Sequence, residues 1–159
     1  MIGGMHHLPS TEAAVTALRA LAGTYAREIE VSHDIGADQT SRRTAAGVGV
    51  STVRELGGDA AKMLWYLRPD QPASVERVSA EITELVEACA AEGLLLIVEI
   101  LTYRLEGETE QEYADRFPGL VADAARISVE HGAKVLKLPY PGSGEACEAV
   151  SRAAGDVPW

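Results

Sequence analysis

Glu92-Gly93-Leu94-Leu95-Leu96-Ile97-Val98-Glu99-Ile100-Leu101 is the stretch on which the fold turns. Gly93 stops a helix, and the run that follows is apolar throughout except for Glu99. Such a run is too short to cross a bilayer, and its nearly continuous apolar character marks a strand of a parallel sheet covered by helices. The residues before it agree. Val75, Val78, Ile82, Leu85, Val86 and Cys89 share one helical face of a segment opened by Pro72 and Ser74. Helix, glycine stop, apolar strand and polar loop therefore make one unit.

The unit recurs on both sides. Val50, Val53 and Leu56 form a helical stripe ended by Gly57-Gly58, and residues 60–67 follow as a strand. Downstream, a helix is expected from Pro118 through Leu120, Val121, Ala124 and Ile127 to Gly132, followed by a short apolar strand that holds both Lys134 and Lys137 and ends at a Pro/Gly turn. Ser143 is expected to cap a fourth helix ending at Gly155, and Val157-Pro158-Trp159 reads as the first residues of another strand. Helices alternating with apolar strands imply an α/β fold, a parallel sheet that is either open and doubly wound or an arc of a barrel. With 159 residues the chain is shorter than the about 250 of a complete eight-stranded barrel.

The first forty residues differ in character. A helix is expected from Thr11 to Ile29, whereas Val31 to Gly49 is polar and turn-like. His6, His7 and His33-Asp34 lack the fixed geometry of a metal site, so no metal is expected there. Twenty-four acidic residues against fourteen basic ones give a net charge of −10, which repels phosphate backbones and anionic lipid and argues against nucleic-acid or membrane partners. Cys89 and Cys147 lie in helical patterns without CxxC spacing, and no signal peptide is read at the start, so reduced thiols in a cytoplasmic protein are expected. No Walker sequence, HExxH, GxSxG or zinc spacing occurs, and Gly57-Gly58 precedes a strand rather than following one, unlike a dinucleotide-binding turn.

Three ionisable residues interrupt the three strands. Lys62, Glu99 and Lys137 are spaced 99−62 = 37 and 137−99 = 38 apart, once per unit. Residues two apart share a strand face, so Lys62 goes with Leu64 and Tyr66, Glu99 with Leu95 and Ile97, and Lys137 with Val135 and Pro139. If those faces coincide, two amines and a carboxylate converge. Such a trio suits carbonyl chemistry through an imine, in which a neutral lysine attacks and a carboxylate moves protons. A buried Lys–Glu–Lys ion-pair network with no catalytic role would use the same residues.

The runs Gly57 to Tyr66, Glu92 to Tyr103 and Gly132 to Pro139 resemble the fourth, fifth and sixth strands of class I aldolases, the family of tagatose 1,6-bisphosphate aldolase and its sulfofructose-phosphate relatives. The resemblance implies a TIM barrel, here incomplete, with Lys137 as the Schiff-base residue, Glu99 as a proton-transfer group and Lys62 as an auxiliary amine. It implies no cofactor, a phosphorylated sugar as substrate, and cleavage of a ketose to dihydroxyacetone phosphate, or to a sulfonated analogue's products, and an aldehyde. The likeness spans residues 41–159, leaving residues 1–40 as a separate N-terminal helical segment. Asp156 to Trp159 resembles the lead into a seventh strand, so a truncated or inactive form is one expectation. The alternatives are a non-catalytic half-barrel that pairs its strand edges in a homo-oligomer, and an open-sheet ligand-binding domain in which the three groups do not converge.

Overall fold

The computed structural model describes residues 49–159; the expected helix from Thr11 to Ile29 and the histidines at 6, 7 and 33 lie outside them. The element order is α1 (Val50–Glu55), β1 (Ala60–Tyr66), α2 (Pro72–Ala91), β2 (Leu95–Leu101), α3 (Glu110–Glu130), β3 (Val135–Lys137) and α4 (Gly144–Ala154). The three strands form one parallel sheet in the order β1-β2-β3. This is the expected α/β alternation, and among the described residues the sheet is open rather than closed.

The unit repeats in backbone detail. Each of the first three helices ends with an N–H reaching back five residues, Gly58 to Val53 at 2.9 Å, Leu94 to Cys89 at 2.8 Å and Ala133 to Ser128 at 3.0 Å. In each case the preceding residue is a glycine at positive φ: 82° at Gly57, 66° at Gly93 and 92° at Gly132. A side chain is strained in that conformation, which is why glycine closes each of these three helices. Gly58 serves a second purpose, because a Cβ there would stand 2.6 Å from the Val53 side chain.

Strand parity divides the sheet into two faces. Trp65, Leu96, Val98, Ile100 and Leu136 are buried on one face, in a cluster with Val78, Ile82 and Cys89 of α2 and Val121, Ala124 and Ile127 of α3. The helical stripes read from the sequence are those that cover this face. Lys62, Glu99 and Lys137 have the opposite parity and lie on the other face.

Two expectations are corrected. The helix expected from Pro118 begins at Glu110, with Pro118 in its interior. Thr109 accepts a hydrogen bond from the Glu112 backbone N–H at 3.2 Å, and the Glu112 carboxylate accepts from the Thr109 N–H at 2.8 Å. This reciprocal capping sets the start, and the proline only removes one internal bond from a helix already established. The second concerns Val157-Pro158-Trp159, which forms no strand. A single bond, Leu136 N–H to the Pro158 carbonyl at 2.9 Å, lays it beside β3. Ser143 caps α4 as expected, accepting from Ala146 N–H at 3.1 Å. Ser74, by contrast, sits inside α2 and accepts from the Arg68 N–H at 3.0 Å.

Candidate active site

Parallel register decides which of the three ionisable side chains meet. Lys62 stands level with Ile97, and Glu99 stands level with both Leu64 and Lys137. Glu99 is therefore beside Lys137 and one pleat further along the sheet than Lys62. All three share the face opposite the one that α2 and α3 cover, as the spacing of 37 and 38 allows.

Glu99 bridges the two amines. Its Oε1 lies 2.6 Å from Lys137 Nζ, and its Oε2 accepts a hydrogen bond from Lys62 Nζ. The two lysines differ sharply in access: the Lys62 side chain is 2% exposed and that of Lys137 50%. One amine is enclosed and the other is within reach of a solute. Lys134, three residues before Lys137, is exposed and of opposite strand parity.

Burial alone would push the Glu99 carboxyl up, but the hydrogen bonds from Lys137 and Lys62 outweigh it and hold the group below its ordinary value. Glu99 is thus kept ionised, in the form that accepts a proton. A carboxylate shared between two amines leaves the trio one positive charge in excess.

The loops beyond the strands carry a second polar cluster that the sequence reading did not single out. Arg68 follows β1, and its buried guanidinium pairs with Asp70 and Glu108. Burial opposes its charge, the two carboxylates more than offset this, and its proton is held more tightly than usual. The partners come from different helix–strand units, so no local pattern announces the pairing. The only hint was an Arg-Pro-Asp run directly after an apolar strand.

Nothing among the described residues forms a group of three or more His, Cys, Asp or Glu side chains fit for a metal ion. Nor is any helix among them long and apolar enough to cross a membrane.

Comparison with known proteins adds independent findings. Residues 24–157 match the domain described as DeoC/LacD family aldolase. The tagatose 1,6-diphosphate aldolase of Listeria monocytogenes serotype 4a (strain HCC23) is 32% identical over 94 residues, covering 56% of this chain and 28% of the relative. The protein of the same name from Listeria innocua serovar 6a gives the same figures, 32% over 94 residues. The chain spans 28% of the length of these curated relatives. Among solved structures, an archaeal fructose 1,6-bisphosphate aldolase superposes with a TM-score of 0.54 at 24% identity, covering 75% of this chain and 44% of that one. That likeness is one of fold: the open parallel sheet corresponds to part of an aldolase barrel.

Proposed function

The chain belongs to the DeoC/LacD family of aldolases, and from that premise we propose that it carries the Schiff-base segment of an aldolase acting on a phosphorylated ketose. The observation that supports this most is Glu99 held between an enclosed Lys62 and an accessible Lys137. Residues 41–159 form the aldolase-type unit in this reading, and residues 1–40 a separate segment. The named substrates of the relatives, tagatose 1,6-diphosphate and fructose 1,6-bisphosphate, give the substrate class.

In this mechanism Lys137 Nζ gives a proton to Glu99 Oε1, 2.6 Å away, and the neutral amine attacks the ketose carbonyl carbon. The new C–N bond forms as the carbonyl electron pair moves to oxygen, which takes a proton from the attacking nitrogen to give a neutral carbinolamine. Return of a proton from Glu99 to that hydroxyl lets it leave as water, generating the iminium. The bond between the carbon next to the iminium and the hydroxyl-bearing carbon beyond it then breaks, its electron pair flowing through the new carbon–carbon double bond towards the iminium nitrogen, while Glu99 takes the proton of that hydroxyl and the departing fragment becomes the aldehyde. Protonation of the enamine and hydrolysis return Lys137 and release dihydroxyacetone phosphate. Lys62 stays out of the covalent steps. Enclosed as it is, its ammonium fixes the orientation of the Glu99 carboxylate.

The half-reaction with dihydroxyacetone phosphate tests the roles of Lys137 and Glu99 together. In heavy water, NMR should show replacement of a proton on the carbon beside the carbonyl, because enamine formation exchanges it. Lys137→Arg should abolish the exchange, since arginine stays protonated, and Glu99→Gln should slow it by about 100-fold. Exchange at the original rate in Lys137→Arg would overturn the assignment.

A further inference from the structure

Among the described residues, a dense polar cluster apart from the trio lies where β1 and β2 run out. Arg68 is fully buried, and each of its five N–H groups is used. Nε donates to Asp70 Oδ1 at 2.7 Å, and Nη2 to Asp70 Oδ2 at 3.2 Å and Glu108 Oε1 at 2.7 Å. Nη1 donates to Glu108 Oε2 at 2.9 Å and to the Tyr103 carbonyl at 2.7 Å. The guanidinium carbon also sits 5.7 Å from the centre of the Tyr113 ring. A guanidinium with every donor engaged offers none to a ligand, so Arg68 is not an anion-binding group. Its partners tie together two loops, residues 67–71 after β1 and residues 102–109 after β2.

The β1–β2 ladder ends with Leu67 N–H to the Leu101 carbonyl at 3.0 Å, and Arg68 takes over from there. Glu108 is held in turn by the Leu105 N–H at 3.0 Å, and Arg116 of α3 pairs with both Asp70 and Glu108 from outside. In parallel α/β folds the loops beyond the carboxyl ends of the strands form the reacting crevice. We propose that Arg68 is a positioning residue that clamps these two loops into one rim and so fixes the strands bearing Lys62 and Glu99 relative to each other. This rests on the Schiff-base reading above.

The test uses the full chain and measures the rate of borohydride trapping of Lys137 against dihydroxyacetone phosphate concentration. Arg68→Lys and Glu108→Gln are compared with Arg126→Ala, which removes an exposed charge pair on α3 away from the clamp. Misplacing reacting groups slows a reaction without weakening binding, so Glu108→Gln should lower the limiting rate about tenfold. The half-saturating concentration should stay within about twofold, and Arg126→Ala should match the unaltered chain. Lysine, a point charge, should fail to rescue the rate in Arg68→Lys. A purely structural role would reduce the amount of protein trapped rather than the rate per folded molecule. Folded Glu108→Gln reacting at the unaltered rate would overturn the assignment to Arg68 alone. No adduct in the unaltered chain would overturn the Schiff-base reading, and with it the reaction role given to Arg68.

Discussion

Glu99 is nine-tenths buried as a side chain and still ionised, because two amines hold its charge. Its stabilisation has a definite pH dependence. The folded group titrates below its ordinary value, so its contribution is fully present above that value and is lost as pH falls through the lowered one. Urea unfolding should therefore show stability falling as the pH drops below the ordinary carboxylate range, and Glu99→Gln should remove part of the fall. At neutral pH the same substitution should destabilise by about 2 kcal/mol, the scale of charge-assisted hydrogen bonds. An identical acid loss in Glu99→Gln would mean that Glu99 contributes nothing. Parity and spacing made it readable that the three groups could share one face, and the parallel register brings them there. Which lysine is enclosed was not, because access depends on what packs around each strand rather than on the strand's own pattern.

At the scale of elements, the glycine closures of α1, α2 and α3 and the apolar strands were plain in the sequence because each is a local signal. The start of α3 was misread for a physical reason. Pro118 is a common first-turn residue and drew the boundary to itself, while Thr109 and Glu112, which make the capping box, stand nine and six residues earlier in a charged stretch without apolar period. Thr109→Ala should accordingly cost about 1 kcal/mol of stability, measured by urea denaturation at neutral pH. No change would mean that the first turns of α3 are held by packing and by Glu108 instead. The Arg68 clamp was invisible for the opposite reason: Arg68 and Glu108 are forty residues apart and meet only because β1 and β2 are neighbours.

For the whole molecule, three parallel strands make an arc, and among the described residues β1 and β3 are its edges. Leu95, on the same face as the reactive trio, is 42% exposed, and among the described residues the outer side of β1 and the part of β3 not bonded to Pro158 present backbone groups suited to another strand. The 159-residue chain is therefore expected to self-associate, and light scattering across a concentration series should return a mass above that of the 16.9 kDa monomer. A stable monomer at all concentrations would contradict this. Everything else depends on whether Lys137 reacts. The most direct measurement is borohydride reduction in the presence of dihydroxyacetone phosphate, followed by peptide mass spectrometry. The expected result is one adduct at Lys137, lost in Lys137→Arg and retained when Lys134 is replaced. An adduct at Lys134 or Lys62 with none at Lys137, or no adduct at all, would contradict the account.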